Sequence, residues 1–142
     1  MQNVKSFNYC KVANKLRKSG YTLSQAFRMA WKLHKGTASV KVAGVTKGRR
    51  QKAIEHLSKY NPETVSLVLN RESDNQYDSN AIAVYASVGK SKPYKMGYIS
   101  ASVACLLSGI IDNITAVNAR LQAVTGGFYA DMLQGLRLSL SI

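Results

Sequence analysis

Acidic residues are scarce in this chain of 142 residues, which has seven Asp and Glu against 20 Lys and Arg. The formal net charge is +13, and residues 1–60 contain 14 of the basic residues but a single acid, Glu55. Such a charge favours a polyanionic partner, and nucleic acid is the commonest one. An anionic membrane surface and an acidic protein are the alternatives that charge alone leaves open.

Cysteine is also scarce, with Cys10 and Cys105 as the two examples in the chain. Neither has a second Cys or a His at metal-ligand spacing, which argues against a zinc site and against a disulfide framework. We expect both thiols to lie in apolar surroundings in a reducing cytoplasm. The sequence predicts no metal and no cofactor.

Long apolar runs are missing, because the longest one, from Val103 to Ile111, is interrupted by Ser108 and Gly109. This stretch is too short to span a bilayer, and the first residues do not resemble an apolar signal segment. We therefore expect a cytoplasmic protein that associates with nucleic acid and not with a membrane. The hydrophobic fraction of 46% is still enough to build one sizeable core.

Catalytic patterns are absent from the sequence as well. The seven acids are scattered, and His34 and His56 lie on predicted helices among residues that form no catalytic group. No Gly-x-x-x-x-Gly-Lys-Ser/Thr pattern occurs, which excludes a phosphate-binding loop of the ATPase type. The sequence therefore predicts a protein without enzymatic activity.

Residues 1–36 predict a basic helical hairpin. Apolar residues at helical spacing indicate a first helix from about Phe7 to Lys18. Thr22 with Gln25 three residues later is a capping-box pattern, and Gly36 marks the end of the second helix. The second helix has a wide apolar side that predicts packing against another part of the chain, and this side consists of Leu23, Ala26, Phe27, Ala30, Trp31 and Leu33.

Residues 37–142 have the pattern of a small β-rich domain with two short helices. One helix is predicted from Arg49 or Arg50 to a point before Pro62, and the other from Ala101 to Leu107. We expect an α+β fold in which six strands form a partly closed antiparallel barrel. The predicted strands cover residues 39–45, 65–70, 81–85, 96–100, 114–124 and 136–142.

Three motifs in this second part are specific enough to compare with known domains. They are Val42-Ala43-Gly44-Val45, the long stretch from Leu67-Val68-Leu69-Asn70-Arg71-Glu72 through Asn75-Gln76-Tyr77-Asp78-Ser79-Asn80 to Ala81-Ile82-Ala83-Val84, and Gly97-Tyr98-Ile99. The long motif resembles the pattern of the HIRAN domain family, which is an apolar strand, Arg-Glu, and then Asn-Pro-Tyr-Asp-x-Asn-Ala-Ile-x-Val. The resemblance covers about residues 40–142 and implies a barrel of the OB or SH3 type.

The resemblance also implies binding of single-stranded DNA by its free 3′ end. Tyr77 takes the place of the aromatic residue on which the terminal base stacks. Asp78 takes the place of the carboxylate that accepts a hydrogen bond from the terminal 3′-hydroxyl. Asn75 and Tyr98 match polar positions beside the pocket. Phe128 or Tyr129 matches the second aromatic wall of the pocket.

Several positions depart from the family pattern. Thr46-Lys47 replaces a basic-aromatic pair, Gln76 replaces the usual proline, and Ser100-Ala101 stands where helicase-linked members offer lysines to a phosphate. End-specific binding requires other donors for the terminal phosphates in their place. The basic residues that we place in the predicted interface are Lys47, Arg49, Arg50, Lys52 and Arg71.

The sequence therefore predicts a non-catalytic nucleic-acid-binding protein that takes single-stranded DNA, with recognition of the 3′ end as the finer expectation. The alternative is an interaction or inhibitor protein of a phage or mobile element, which docks a protein or nucleoprotein target through the hairpin by exposed parts of Tyr21 or Trp31. Binding of duplex DNA or RNA through the helices is a third hypothesis. A purely structural role in the turn is the competing interpretation of Asp78 and Asn80.

Overall fold

The computed structural model describes residues 2–126 and 133–142, and within these ranges it describes side chains from Tyr9 onward. No helix in this part of the chain is long and apolar enough to cross a membrane. The helices are α1 (Gln2–Lys18), α2 (Leu23–Lys35), α3 (Arg50–Leu57) and α4 (Ala101–Asn113). The strands are β1 (Ala38–Ala43), β2 (Val65–Arg71), β3 (Ile82–Val88), β4 (Tyr94–Ile99), β5 (Asn118–Gly126) and β6 (Gln134–Ser141).

The six strands form a closed antiparallel barrel in the order β1-β4-β3-β2-β5-β6. The predicted α+β barrel is confirmed, but the predicted partial closure is wrong, because β2 also pairs with β5 through Ser66 and Arg120. Closing the ring satisfies both edges of every strand. The ring order places β5 and β6 on the wall of the barrel that lies opposite β4 and β3.

Inward-facing side chains fill the barrel as the alternating pattern of its last strand predicts. Leu136, Leu138 and Leu140 of β6 are buried, while the residues between them face outward. The same hydrophobic cluster continues into the hairpin through Leu16 of α1 and Leu33 of α2. The hairpin is therefore packed on the barrel through a shared core.

Helix α2 is capped in the predicted way. The Thr22 side chain accepts from the Gln25 N–H at 3.2 Å, the Gln25 side chain accepts from the Thr22 N–H at 3.1 Å, and Gly36 ends the helix with φ of 74°. The predicted packing holds for half of its apolar side, where Ala26, Ala30 and Leu33 are buried. The other half is exposed to solvent, at 50% for Leu23, 37% for Phe27 and 49% for Trp31.

Helix α4 is longer than the sequence predicts. The prediction ends it at Leu107, but the helix continues to Asn113, and β5 begins correspondingly later. Leu107 and Ile110 are both buried, so one apolar helical face continues past Ser108. Ser108 is accommodated because its hydroxyl donates to a backbone carbonyl of the preceding turn at 3.1 Å. Helix α1, which begins at Gln2, is also longer than predicted.

Both cysteines are exposed, which contradicts the expectation of apolar surroundings. Each lies on an amphipathic helix whose buried face is formed by other residues, such as Val12 on α1 and Ala104 on α4. Successive helical positions are rotated by about 100°, so a cysteine next to a buried residue can still face solvent. The apolar neighbours in the sequence did not reveal this rotation.

Gly97 allows β1 to approach β4 closely. Its φ is +156°, and a Cβ at this position would overlap the Ala43 carbonyl oxygen and lie 2.7 Å from Val42 Cγ1. A side chain here would therefore push the two strands apart at the position where they pair.

We expect Gly97→Ala to lower the free energy of unfolding by about 2–4 kcal/mol, through overpacking and backbone strain. Urea denaturation measures this loss. Gly89→Ala is the control, because Gly89 also has a positive φ, +58°, but open space around it, and we expect it to cost about 1 kcal/mol. Equal losses in the two variants would contradict the explanation by close approach.

Candidate nucleic-acid interface

The three sequence motifs meet around Tyr98 of β4. Tyr98 pairs with Ala43 of β1 on one side and with Ala83 of β3 on the other. Neighbouring strands lie about 4.8 Å apart, so the end of β1 and the start of β3 are separated by about 10 Å. The segment that follows β1 and the loop that precedes β3 therefore adjoin the same strand, the first on the Gly97 side of Tyr98 and the second on the Ile99 side.

The polar loop, which we define as residues 72–81, joins β2 to β3 and is held by its own side chains. Asn75 Oδ1 accepts from the backbone N–H groups of Tyr77 at 2.9 Å and Asp78 at 3.1 Å. Asp78 Oδ1 in turn accepts from the Asn80 N–H at 2.9 Å. These Asx turns fix the backbone from Asn75 to Asn80 without a ligand.

Tyr77 projects from this fixed backbone with 98% of its surface exposed. A ring this exposed buries almost no apolar area, so it contributes little to the stability of the fold. Both of its faces are open to solvent, and an aromatic face is a platform on which any base can stack. Tyr77 is thus available to a ligand on a loop whose shape is already set.

The Glu72 carboxylate connects the polar loop to β4. Its Oε1 accepts from Asn75 Nδ2 at 3.1 Å and from the Tyr98 hydroxyl at 3.0 Å. Its Oε2 lies 2.9 Å from Lys95 Nζ, and that ammonium also donates to the Tyr98 hydroxyl at 2.7 Å. The four side chains form one hydrogen-bonded network that sets the position of the loop against the barrel.

Both ionisable ends of this network have shifted pKa values. The hydrogen bond from Lys95 lowers the pKa of Glu72 despite the opposing effect of burial, and hydrogen bonds from Asn75 and Tyr98 lower it further. The pKa of Lys95 is raised, first by its hydrogen bond to Tyr98 and then by the one to Glu72. The network therefore stabilises the charged form of each group.

No functional role is predicted for Glu72 or Lys95 from the sequence. Glu72 could have been found, because it belongs to the Arg-Glu pair of the long motif. Lys95 carries no such signal, and its contact with Glu72 depends on how β4 aligns with the strands beside it. Asn75 lies within the polar loop and Tyr98 lies on β4, and the polar groups of both are bonded to Glu72. Their predicted place beside a binding pocket stays a prediction.

Arg71 directs its guanidinium into the protein. Its Nη1 donates to the carbonyls of Ser79 at 2.7 Å and Ala81 at 3.3 Å, and its Nη2 lies 3.1 Å from Asp112 Oδ2 on α4. The side chain is 18% exposed, and its Nε is buried without a partner in the described part of the chain. These contacts join the end of the polar loop to α4, so Arg71 holds the loop in position.

The basic segment, which we define as residues 47–52, follows the end of β1. Arg50 holds the turn, because its Nη1 donates to the carbonyl of Gly44 at 2.7 Å. Lys47, Arg49 and Lys52 are exposed, and none of them forms an ion pair with a described acid. The segment therefore offers three available cations near the strand that supports the polar loop.

The remaining predicted site residues are Asp78 and the aromatic pair Phe128 and Tyr129. Phe128 and Tyr129 lie outside the described residues. Asp78 uses one carboxylate oxygen for its turn, and no described residue bonds to the other.

Across residues 2–126 and 133–142, no three His, Cys, Asp or Glu side chains are grouped so as to hold a metal ion.

Comparison with known proteins gives one family match. The model of the HIRAN domain matches residues 35–137. No curated protein matches the chain in sequence. Among solved structures, the crystal structure of a protein from Lactobacillus plantarum is similar over 73% of this chain and 92% of that chain, with 23% identity and a TM-score of 0.45.

The Glu72 network predicts a pH dependence of stability. Because the folded protein lowers the pKa of Glu72, this contribution is present above the ordinary value of 4.5 and is lost as the pH falls through the folded pKa. We expect Glu72→Gln to reduce the free energy of unfolding at pH 7 by about 1–2 kcal/mol, and by less at pH 3.

Urea denaturation at the two pH values tests this prediction. Asp74→Asn is the matched control, because Asp74 is an exposed acid of the same loop outside the network. A loss in Glu72→Gln that is equal at pH 7 and pH 3 would show that the charge of Glu72 is not what stabilises the loop.

Proposed function

Because the chain belongs to the HIRAN domain family, a family of DNA-binding domains, we propose that it binds single-stranded DNA with the 3′-terminal nucleotide at Tyr77 and Asp78. The observation that carries the proposal is the 98% exposure of Tyr77 on a loop that is fixed by its own hydrogen bonds. Because the backbone beneath the ring is already fixed, a base that stacks on Tyr77 orders only the side chain and not the loop.

The role of Tyr77 in this proposal is stacking. A terminal base has one neighbour in the strand instead of two, so one of its faces is free to meet the tyrosine ring. Stacking on an aromatic side chain does not depend on the identity of the base. The contact would therefore support binding to many sequences.

The role of Asp78 is to accept a hydrogen bond from the terminal 3′-hydroxyl. One of its oxygens is committed to the Asn80 N–H, and the other has no partner among the described residues. A carboxylate can accept from a hydroxyl but repels a phosphate, because both are negatively charged. The proposal therefore includes discrimination against a strand that ends in a 3′-phosphate.

The role of the basic segment is to bind the phosphates that precede the terminal nucleotide. Lys47, Arg49 and Lys52 are exposed and form no ion pair with a described acid, so their charges are available for a backbone. Arg50 and Arg71 hold the two loops in place. Positive charge near the loop favours a strand without reading its sequence.

The exposed half of the apolar side of α2 favours a second candidate function, which is docking of a protein or nucleoprotein target. Phe27 and Trp31 remain accessible there beside the cations of the hairpin. Retention of a partner from nuclease-treated extract, and its loss in Trp31→Ala, would support this function. Loss of the partner on nuclease treatment would count against a protein target, because the contact would then depend on nucleic acid.

We expect Tyr77→Ala to weaken binding of a single strand with a 3′-hydroxyl by about 1–3 kcal/mol, because the stack is lost. Asp78→Asn keeps an oxygen that can accept from the Asn80 N–H, so it removes the charge without removing the turn. We expect it to cost about 0.5–1.5 kcal/mol and to reduce the preference over a 3′-phosphate.

Fluorescence polarisation with strands that differ only at the 3′ terminus measures both effects. Tyr60→Ala is the matched control, because Tyr60 is an exposed tyrosine elsewhere, at 40% of its surface. Equal affinity of the wild type for free-ended and circular strands would reject end recognition and leave general DNA binding intact.

The basic segment predicts the salt dependence of binding. Each phosphate contact on a single strand contributes about 0.7 to the slope of log affinity against log salt concentration. Replacing Lys47, Arg49 and Lys52 together by Ser should therefore reduce the slope by about 2. The control replaces three exposed lysines outside the segment, Lys59, Lys90 and Lys92, and an equal change there would show that only net charge matters.

A further inference from the structure

The barrel has a second cationic surface, which lies on the neighbouring strands β1, β6 and β5. We define the outer sheet face as the outward side chains of β1, β6 and β5. Alternation along each strand produces it, because the leucines of β6 point inward and the residues between them point outward. Its members are Ser39, Lys41, Asn118, Arg120, Gln122, Arg137, Ser139 and Ser141.

Two cations face each other directly on this surface. Lys41 of β1 pairs in register with Arg137 of β6, and like charges in directly opposed positions destabilise a sheet. Arg137 Nη1 contacts the Ser39 hydroxyl at 3.3 Å, which is a neutral group, and Lys41 has no described partner. Folding stability therefore does not explain why both positions are basic.

No acid on the strands compensates these charges. The sequences of β1, β2, β5 and β6 contain neither Asp nor Glu. Arg120 lies one strand further, opposite Ser139 of β6 and Ser66 of β2. Glu63, which precedes β2, lines the same cavity as Arg120 but forms no ion pair with it. The outer sheet face is therefore cationic across three neighbouring strands.

A cavity of about 350 Å³ extends this surface to the end of α2. It is lined by His34, Lys35, Asn118, Arg120, Ser139 and Ser141, among others. Ammonium and guanidinium groups, hydroxyls and side-chain amides interact favourably with phosphate oxygens.

The outer sheet face differs from the polar loop in having no aromatic ring. None of the strands β1, β2, β5 and β6 contains Phe, Tyr or Trp. Unpaired bases need such platforms, whereas a duplex keeps its bases stacked inside and presents phosphates. Hydroxyl and amide side chains beside Lys and Arg match a duplex backbone.

We propose that the outer sheet face binds the phosphate backbone of double-stranded DNA, as a contact separate from the single-strand site at Tyr77. Lys41, Arg120 and Arg137 neutralise phosphates. Ser139, Ser141 and the side-chain amides donate hydrogen bonds, whereas the Ser39 hydroxyl already donates to Gln122 Oε1 at 2.7 Å. The charges that oppose each other in the free protein are compensated when the duplex is bound.

The test uses the full chain and a closed circular duplex, which has no ends for the single-strand site. Lys41→Ser with Arg120→Ser removes two cations that form no hydrogen bond or ion pair with a described residue and leaves the Arg137 contact in place. Each duplex contact contributes about 0.9 to the salt slope, so the slope should fall by about 2 and the affinity at 0.1 M salt by roughly 10- to 60-fold. Lys90→Ser with Lys92→Ser is the matched control, because both lysines are exposed in the turn between β3 and β4.

Two further measurements separate this proposal from loss of folding and from the proposed function. The melting temperature of the double variant should equal or exceed that of the wild type, because a repulsion is removed. Binding of the variant to a single strand with a 3′-hydroxyl should still respond to Tyr77→Ala, whatever the duplex result.

Three outcomes would overturn the proposal. The first is duplex affinity in the double variant equal to that of the control. The second is a wild-type protein that does not bind the circular duplex. The third is a higher affinity for poly-glutamate than for the duplex, which would assign the outer sheet face to an acidic protein partner.

Discussion

The close approach of β1 and β4 at Gly97 is the constraint on which the rest of the molecule depends. It lets β1 pair with β4 on one side and β6 on the other, and these pairings close the ring. It also places Ala43 beside Tyr98, so the basic segment and the polar loop emerge next to the same strand. A barrel that closed elsewhere would separate these two segments.

The polar loop divides its residues between support and display. Asn75 and Glu72, together with Arg71 at the end of β2, use their polar atoms to bond the loop, β4 and α4. The ring of Tyr77 and one oxygen of Asp78 are left without a described partner. The structural interpretation of the Asx residues and the binding interpretation are therefore compatible, because Asp78 has two oxygens and the turn uses one.

The sequence was informative where a feature depends on residues that are close along the chain. The capping box of α2 and the alternation of β6 each lie within a few residues, and the long motif around Tyr77 is one continuous segment that contains most of β2 and the start of β3. Helix α4 was predicted to end at Leu107, whereas burial of both Leu107 and Ile110 keeps its apolar face continuous beyond Ser108.

Contacts between distant residues could not be predicted. The opposition of Lys41 and Arg137 and the bond between Glu72 and Lys95 depend on strand order and register. Neither property follows from a single sequence without a known fold. The binding roles of Tyr77, Asp78 and the basic segment stay predictions, because they concern a ligand.

Helix α4 contacts the polar loop and the hairpin at the same time. Ser108 and Asp112 bond to Asn80 and Arg71, while Gly109 packs against Lys15 of α1. A residue inserted between these positions would rotate the contacts on its C-terminal side by about 100° relative to those on its N-terminal side. Evolution can therefore vary the turn between β3 and β4 in length far more freely than it can vary α4.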